Sequence, residues 1–300
     1  MVDTSDEWIV TRTGISERRI AEPGVATSDL AIEAAHRALK NARIKPEKID
    51  LVVVTTITPD MFFPSTACLV QNAIGAKNAG AYDLSAACSG FVYGVANMSA
   101  MISTGAIRYA LVIGAETLTK ITNYEDRSSC ILFGDGAGAV VLGPSDRRIV
   151  TYSRLGADGS GGDMMKLPGG GSRIPATAES VNQKLHYMLI RGREVYAFAV
   201  RKIQECIQDA LDATGHTADE ISLIVPHQVN LRILVAAAEK FGLPMEKVQV
   251  NIQKYGNTSA ASIPIALDEA VQEGKLKKGD VVILVAFGGG LTWGSALIEW

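Results

Sequence analysis

The sequence predicts a duplicated α/β protein whose two halves each contain a mainly parallel sheet covered by helices. Segments with helical periodicity alternate with short runs rich in β-branched residues, which is typical of parallel sheets. The order helix, strand, helix, strand, small-residue loop, helix, strand then occurs twice, before and after a joint near residues 143 to 155. We therefore expect two related halves, residues 1–147 and 148–300, stacked so that helices are buried between two sheets.

In the first half, apolar residues at helical spacing predict a helix over residues 28–44. The run IDLVVVTT at 49–56 is rich in β-branched residues, which favours a buried strand. The rest of the half predicts a helix over 65–76, a strand over 79–88 ending in the small-residue loop SAACSG, and a further helix and strand within 95–117.

The second half repeats this order. A long helix over 194–215 precedes the strand ISLIVPH at 221–227, and a helix follows over 230–242. The pattern then predicts a strand over 247–257, the small-residue loop GNTSAAS, and a final helix and strand within 265–290. Each small-residue loop therefore occupies the same place in its half.

Composition excludes several classes of function. The chain has 300 residues, of which 47% are hydrophobic and 20% charged, and a net charge of −3 gives no bulk attraction to nucleic acid. No uninterrupted apolar run reaches the roughly 18 residues of a membrane span, and the acidic start lacks the features of a secretory signal. The four cysteines are widely spaced, without a CxxC pair or a His/Cys cluster, which favours free thiols in a reducing cytoplasm over a zinc site.

Cys88 is the first candidate for chemistry because it lies where a strand gives way to an unusually apolar helix. The positive end of a helix dipole and unpaired backbone N–H groups lower the pKa of a thiol, which predicts a reactive thiolate. The following Ser89 and Gly90 permit close approach of a ligand. A buried structural cysteine remains the alternative on position alone.

His227 and Asn257 are the second and third candidates. His227 follows a buried strand directly, and ligands of α/β sheets gather at the carboxyl ends of strands. Asn257 lies in the loop that corresponds to the Cys88 loop, so a pseudo-twofold axis would bring the two loops together. Considered separately, His227 is also compatible with a half-buried structural histidine and Asn257 with a turn.

Two glycine-rich motifs lie close to strands. FGDGAGAVVLG at 133–143 precedes a β-branched run instead of a helix, so it predicts a tight loop between strands and not a phosphate site. In FGGGLTWGSALIEW at 287–300, three glycines favour either backbone N–H groups pointing into an oxyanion hole or a hairpin. The Gly- and Pro-rich stretch 156–175 predicts a loop to which we assign no chemistry.

Near the start, TSDEWIVTRTGI predicts a short helix that places Trp8 and Arg12 on one face. An indole and a guanidinium together suit a nucleotide, through stacking and phosphate contact. A packed tryptophan beside a solvated arginine is the alternative.

Six segments in this order and spacing resemble β-ketoacyl-acyl carrier protein synthase III, the thiolase-like family that starts bacterial fatty-acid synthesis: TSDEWIVTRTGI, AACSGF, FGDGAGA, PHQVNLRI, GNTSAAS and FGGGLTWGSAL. The resemblance spans essentially the whole chain. It implies the five-layered αβαβα thiolase-like fold, with mainly parallel sheets and some antiparallel strands, and a homodimer. It also implies a condensation of acyl-CoA with malonyl-acyl carrier protein that needs no metal or redox cofactor.

The resemblance implies roles for individual residues. Cys88 matches the family's acylated nucleophile, and His227 and Asn257 match the side chains that donate hydrogen bonds to the malonyl thioester oxygen. For this step the histidine must be a neutral N–H donor. The backbone N–H groups of Cys88 and Gly289 match the oxyanion hole, and Phe287 matches a phenylalanine that lines the malonyl site.

Further matches concern binding. Trp8 and Arg127 correspond to the pair that sandwiches the coenzyme A adenine, with Thr4 and Arg12 beside that tunnel. Phe63 matches a position near the acyl pocket that often comes from the partner subunit, and its large ring predicts a short or branched primer. The match to the basic patch that receives acyl carrier protein comprises Arg232 and Lys240.

The sequence departs from the family pattern in three places. Members usually carry some two dozen residues ahead of this start, including a central strand of the first sheet, so we expect a truncated or mis-set start and a gap in the sheet core. Ala197 stands where several relatives have a lysine implicated in docking, and Glu239 interrupts the basic face near Lys240. Both changes predict weaker affinity for the carrier protein.

Other enzymes of this fold fit the sequence less well. A biosynthetic thiolase needs a second cysteine near the C-terminal glycines, and no cysteine follows Cys206. Elongating ketosynthases use two histidines where this sequence has one and Asn257. Hydroxymethylglutaryl-CoA synthase needs a glutamate base, a role for which the sequence alone leaves Glu116 open. A non-catalytic acyl-CoA- or carrier-binding protein is the remaining alternative.

Overall fold

Two four-stranded sheets form the frame of the molecule, whose computed structural model describes residues 2–300. The α-helices are α1 Asp6–Thr13, α2 Thr27–Ala42, α3 Thr66–Ala73, α4 Gly90–Ser103, α5 Ala178–Asn182, α6 Gly192–Thr214, α7 Leu231–Lys240, α8 Ile252–Tyr255 and α9 Ser262–Gln272. The strands are β1 Leu51–Thr55, β2 Gly80–Leu84, β3 Ala110–Thr117, β4 Asp135–Leu142, β5 Val150–Ala157, β6 Met165–Lys166, β7 Leu189–Ile190, β8 Ile221–Pro226, β9 Val281–Gly288 and β10 Thr292–Glu299.

Both large sheets are mixed. The first has the order β2-β1-β3-β4, with β1 parallel to β2 and β3, and β4 antiparallel to β3. The second has the order β5-β10-β9-β8, with β8 parallel to β9, and β10 antiparallel to both of its neighbours. A separate two-stranded antiparallel sheet is formed by β6 and β7. This arrangement confirms the predicted α/β class, with both parallel and antiparallel strands in each large sheet.

The helices form three layers around the sheets. Apolar side chains of α2 and α3 pack against the outer face of the first sheet, and those of α6 and α7 against the outer face of the second. Between the sheets, α4 and α9 share one core cluster with strands of both, as the contacts of Phe91 and Leu267 show. The predicted burial of helices between two sheets is confirmed, and the result is five layers, αβαβα.

The small residues of α4 explain why this helix can lie in the middle layer. The residue Gly94 faces the first sheet so closely that an added Cβ would lie 2.8 Å from Val112 Cγ1. An amphipathic surface helix would place charged residues here, whereas α4 contains none. Its amino-terminal end is thereby held at the centre of the molecule.

The strand predicted over 247–257 is wrong. Only one bridge forms there, between Ile224 and Val248, and the chain then turns into α8. The cause is the buried side chain of Gln228, which donates to the Gln249 carbonyl at 2.9 Å and accepts from the Asn251 amide at 3.1 Å. These hydrogen bonds of the Gln228 side chain occupy backbone groups that would otherwise pair with a neighbouring strand.

Most of the segment 133–143, including Gly136 and Gly138, lies inside β4, which corrects the prediction of a tight loop. A Cβ at Gly138 would lie 2.8 Å from the backbone nitrogen of Ile265, so this glycine lets α9 approach the strand. Only Phe133 and Gly134 remain in the turn before β4. Glycine in a strand can thus indicate close packing of another backbone as well as a turn.

The expected gap in the core of the first sheet is also wrong. The four strands are hydrogen-bonded in an unbroken series, from β2 to β4. On the side away from β3, the edge of β4 pairs with no strand within residues 2–300. The corresponding edge of β10 in the second sheet pairs with β5. Within the same residues, no helix combines the length and the apolarity that a membrane crossing requires.

Candidate active site

Cys88 lies in a single 3-10 turn, Ala87–Ser89, directly before α4. The turn packs against the carboxyl end of β9, where a Cβ at Gly288 would lie 2.6 Å from the Cys88 nitrogen. Ala87 has a left-handed φ of 46°, which turns the chain so that the cysteine follows at the head of the helix. The backbone therefore places Cys88 between the helix layer and the second sheet.

Cys88, His227 and Asn257 line one cavity of about 100 Å³. The ring of Phe287 forms part of its wall, and most of the remaining lining is apolar, including Met165. The structure thus brings together the three predicted catalytic side chains, which come from three separate stretches of the sequence. An apolar cavity with a few convergent polar groups is the usual form of a small-molecule site.

His227 directly follows the last residue of β8, and both its backbone and its ring have hydrogen-bond partners. Its backbone N–H donates to the Val285 carbonyl at 2.8 Å, and its Nδ1 lies 3.0 Å from Ser262 Oγ. The ring meets Phe287 edge to face, with centroids 5.7 Å apart. Burial lowers the pKa of His227 to about 3, so the imidazole is neutral at pH 7, as the proposed donor role requires.

The Asn257 carboxamide is oriented by its own loop. Its Oδ1 accepts a hydrogen bond from the Ser259 N–H at 2.8 Å, which leaves the amide NH₂ to act as a donor. The backbone of Asn257 is fixed by the Leu132 carbonyl at 2.8 Å and the Gly134 N–H at 3.0 Å. The turn before β4 therefore supports the backbone of Asn257.

The Cys88 thiol does not have the low pKa that its position predicted. Burial raises the pKa to about 12; contact with Ser259 lowers it, and the nearby Glu116 carboxylate raises it further. The thiol is only 6% exposed, so desolvation of the thiolate outweighs the effect of the helix dipole. The resting group is a thiol, and acyl transfer has to remove its proton.

Glu116 is a buried carboxyl group near this thiol, one residue before the end of β3. Its Oε2 accepts from Thr56 Oγ1 at 3.0 Å, Thr58 Oγ1 at 2.7 Å and the Ile57 N–H at 3.1 Å. Within residues 2–300 its Oε1 has no hydrogen-bond partner of good geometry. Burial raises the pKa of Glu116 above its ordinary value, and the three donors oppose that shift.

The predicted nucleotide-binding residues gather outside the cavity. The Arg127 guanidinium carbon lies 4.6 Å from the centroid of the Trp8 ring, and that of Arg12 lies 6.0 Å away. Thr4 is exposed just ahead of α1, which Ser5 caps. The side chain of Asn230, which caps α7, donates to the Arg12 carbonyl at 3.1 Å, so α1 and α7 meet at this surface.

The predicted carrier-protein residues lie on the exposed face of α7. Arg232 and Lys240 are both exposed, with Glu239 next to Lys240, and Ala197 is exposed on the neighbouring α6. Because α7 begins four residues after His227 and the side chain of its cap residue Asn230 contacts Arg12, the start of this face lies next to the residues around Trp8.

Phe63 is not part of the cavity in its own chain. It lies in the loop between β1 and α3 and is 85% exposed, and its neighbour Phe62 is 82% exposed. Two large rings in open solvent are unusual for an isolated chain, which favours an interaction surface at this loop.

Sequence reasoning missed three residues of the site. Met165, from the stretch to which no chemistry was assigned, lines the cavity. Ser259 and Ser262 contact the predicted catalytic residues, but serines in GNTSAAS give the same pattern as a turn followed by a helix start. Among the described residues, no three His, Cys, Asp or Glu side chains cluster as metal ligands would.

Comparison with known proteins finds relatives from one enzyme family that match this chain over its whole length. The sequence model of 3-oxoacyl-[acyl-carrier-protein (ACP)] synthase III matches residues 82–159, and that of its C-terminal part matches residues 211–300. The β-ketoacyl-[acyl-carrier-protein] synthase III of Caldanaerobacter subterraneus subsp. tengcongensis is 54% identical, over 100% of this chain and 91% of its own length. That of Clostridioides difficile is also 54% identical, over 100% and 92%.

Solved structures give the same result. The crystal structure of 3-oxoacyl-[acyl-carrier-protein] synthase III from Aquifex aeolicus has a TM-score of 0.91 and 48% identity, covering 99% of this chain and 92% of that one. The Thermus thermophilus β-ketoacyl-[acyl carrier protein] synthase III has a TM-score of 0.93 and 45% identity, covering 100% and 92%.

Proposed function

The chain belongs to the β-ketoacyl-acyl carrier protein synthase III family, and we propose that it joins an acyl-CoA primer to malonyl-acyl carrier protein. The products are 3-oxoacyl-acyl carrier protein, coenzyme A and CO2, and the intermediate is an acyl thioester on Cys88. The observation that supports this most directly is the shared cavity of Cys88, His227 and Asn257. In this proposal the half 1–147 supplies the nucleophile and the half 148–300 supplies the histidine and asparagine.

The first half-reaction acylates the enzyme. The Cys88 sulfur attacks the acyl-CoA carbonyl, the acyl group moves to sulfur, and coenzyme A leaves. The N–H groups of Cys88 and Gly289 are our candidates for holding the tetrahedral oxyanion, since Gly288 brings the end of β9 against the cysteine backbone. This step needs no metal or redox cofactor.

The second half-reaction forms the carbon–carbon bond. His227 and Asn257 donate hydrogen bonds to the thioester oxygen of malonyl-acyl carrier protein, and loss of CO2 places negative charge on that oxygen. Such donors typically stabilise the transition state by about 3 kcal/mol each. The neutral His227 and the oriented Asn257 amide are suited to this role. The carbanion then attacks the acyl-Cys88 carbonyl, beside the ring of Phe287.

Binding of the two substrates is proposed at the outer surface. Trp8 and Arg127 now stack on each other and would separate to admit the adenine of coenzyme A, with Thr4 and Arg12 beside it. The exposed α7 residues Arg232 and Lys240 would receive the acidic carrier protein. Ala197 and Glu239 reduce the positive charge of this face, which predicts modest affinity.

A cytoplasmic homodimer is the proposed form of the enzyme. The exposed Phe62 and Phe63 support an interaction between subunits, in which Phe63 would reach the acyl end of the partner's cavity. A large ring there would leave room for a short or branched primer.

Other condensations on this fold fit the site less well. Glu116 would be the base in a hydroxymethylglutaryl-CoA synthase, but it is absent from the cavity lining and its Oε2 is occupied by three donors. A thiolase would need a second cysteine at the end of β9, where Phe287 and glycines stand.

The test is to supply acetyl-CoA with and without malonyl-acyl carrier protein labelled in its free carboxyl group. We expect labelled CO2 and 3-oxoacyl-acyl carrier protein only when both substrates are present. Condensation of acetyl units without the malonyl thioester would contradict the proposal, as would binding of acyl-CoA without any acyl transfer, which a non-catalytic binding protein would give.

A further inference from the structure

The proposed oxyanion hole needs two backbone N–H groups at a fixed spacing, those of Cys88 and Gly289. Such donors stabilise an oxyanion when they are held about 2.7–3.1 Å from the position of that oxygen. Cys88 lies in a single 3-10 turn, whereas Gly289 lies in the run Gly288–Gly290, and glycine has the greatest backbone freedom of any residue. A contact between the two segments is therefore required to hold the donors together.

The hydroxyl group of Thr292 makes such a contact. It donates to the Ala86 carbonyl at 2.9 Å and lies 3.2 Å from the Gly289 carbonyl oxygen, which shares the same proton in a three-centre bond. Ser89 Oγ lies 3.2 Å from the Thr292 oxygen, and within residues 2–300 it is the only hydrogen-bond partner of this fully buried serine side chain. One hydroxyl group therefore joins residues on both sides of Cys88 to Gly289.

The Ala86 carbonyl is also the acceptor that closes the turn around Cys88. It accepts a hydrogen bond from the Ser89 N–H at 3.1 Å. Inside this turn, Ala87 has a left-handed φ of 46°, a conformation that residues with a side chain keep only when surrounding contacts hold them in it. The second hydrogen bond to Ala86, from Thr292, is such a contact. It stabilises the backbone geometry of the turn directly before α4.

The backbone of Thr292 is itself held firmly, because this residue begins β10 between two neighbouring strands. It pairs with Gly288 of β9 on one side and with Ala157 of β5 on the other. Gly289 is thus connected to Thr292 twice, through the pairing of its neighbour Gly288 and through its own carbonyl. Thr292 is absent from the cavity lining, so any effect that it has on the reaction passes through other residues.

We propose, resting on the function proposed above, that Thr292 is the positioning residue of the oxyanion hole. Its hydroxyl group holds the Cys88 turn and the glycine run at one separation, so that both N–H groups meet the same oxygen of a tetrahedral intermediate. Both half-reactions depend on this geometry, because each passes through a tetrahedral intermediate bonded to the Cys88 sulfur. Without the hydroxyl group, the turn keeps its bond from Ser89 to Ala86, but the glycine run regains its freedom to rotate.

The experiment compares the wild type with Thr292→Val, which keeps the side-chain shape without the hydroxyl group, and with Thr292→Ser, which keeps the hydroxyl group. Thr292→Ala is a second variant without the hydroxyl group, for the case that valine disturbs folding. The matched control is Thr214→Val, which removes a hydroxyl group that donates to the Ala210 carbonyl at 2.7 Å, at the end of α6.

Three properties are measured for each protein. Single-turnover acylation by acetyl-CoA over a range of concentrations gives the maximal rate and the concentration at half-maximal rate. Alkylation of Cys88 by iodoacetamide reports the reactivity of the sulfur alone, because iodide is displaced at a methylene carbon and no tetrahedral oxyanion forms. Thermal unfolding reports stability.

We expect Thr292→Val and Thr292→Ala to lower the maximal rate of acylation by about 10- to 100-fold, since a misplaced oxyanion donor costs less than a deleted one. The concentration at half-maximal rate should not change, because the hole binds the transition state and not the ground state. Alkylation should keep the wild-type rate. Thr292→Ser and Thr214→Val should be acylated as fast as the wild type.

Acylation of Thr292→Val and Thr292→Ala at the wild-type rate would overturn the proposal. So would an equally large loss in Thr292→Ser, or a parallel fall in acylation, alkylation and thermal stability, because a purely structural role of this residue predicts those results. Failure of the wild type to be acylated at all would instead contradict the proposed function, so the two failures are distinguishable.

Discussion

Burial sets the protonation state of the titratable side chains in the cavity and next to it. It holds His227 neutral, holds Cys88 as a thiol and raises the pKa of Glu116. Position in the sequence predicted Cys88 at the start of an apolar helix and His227 at the end of a strand, and the duplication that relates the Cys88 loop to the Asn257 loop predicted Asn257. It could not predict the raised pKa of Cys88, because desolvation depends on packing from β9 and Ser259, which are distant in sequence.

The neutral state of His227 predicts a specific loss of stability in acid. Its pKa is about 3 in the folded protein, whereas an unfolded histidine titrates near 6.5. Between these values the unfolded chain binds the proton and the folded chain does not. Stability is therefore retained above pH 6.5 and falls by about 1.4 kcal/mol for each pH unit below it, down to about pH 3.

Urea unfolding at pH 7 and pH 4 measures this effect. We expect the free energy of unfolding of His227→Gln to decrease less than that of the wild type between the two pH values, by about 3 kcal/mol. His36→Gln, which removes an exposed imidazole, is the control. Equal acid dependence of the wild type and His227→Gln would show that the buried ring is already protonated.

At the scale of the elements, strands and helices position the site through close backbone contacts. The end of β9 touches the Cys88 turn because residue 288 has no side chain, and α9 reaches β4 at Gly138 for the same reason. A glycine in these segments can indicate either a turn or the close approach of another part of the backbone, and the sequence alone does not distinguish the two. The side-chain bonds of Gln228 that replace the strand predicted over 247–257 were likewise invisible, since they join residues far apart.

The substitution Gly288→Ala tests the contact between β9 and Cys88. Its Cβ would lie 2.6 Å from the Cys88 nitrogen and 3.1 Å from Cys88 Cβ, so the turn must move. We expect a loss of about 1–3 kcal/mol in stability and about 100-fold in the rate of acylation by acetyl-CoA. Gly171→Ala, where the added Cβ meets nothing within 4 Å, should change neither. An unchanged acylation rate in Gly288→Ala would show that this contact does not hold the nucleophile in place.

For the whole molecule, the alternation of elements and their repetition were sufficient to predict two stacked sheets with buried helices. Periodicity identifies elements, and the uncharged α4 could only be buried. The open edge of β4 could not be predicted, because strand neighbours depend on the order within a sheet and not on the order along the chain.

The exposed loop that contains Phe62 and Phe63 leads us to predict that two chains associate. Because each ring is more than four-fifths exposed in one chain, we expect a homodimer in sedimentation equilibrium. If Phe63 closes the partner's acyl pocket, Phe63→Ala should shift the preference from acetyl- and isobutyryl-CoA towards longer primers, while Phe62→Ala serves as the neighbouring control. Fastest wild-type turnover with a twelve-carbon primer would contradict this assignment.

The most direct test of the account is intact-mass spectrometry of the protein after incubation with acetyl-CoA, followed by malonyl-acyl carrier protein. The account predicts one acetyl group on the wild type, located on Cys88, its disappearance when the malonyl substrate is added, and no acetylation of Cys88→Ala. Acetylation of Cys88→Ala, or an acetyl group on the wild type that the malonyl substrate does not remove, would contradict it.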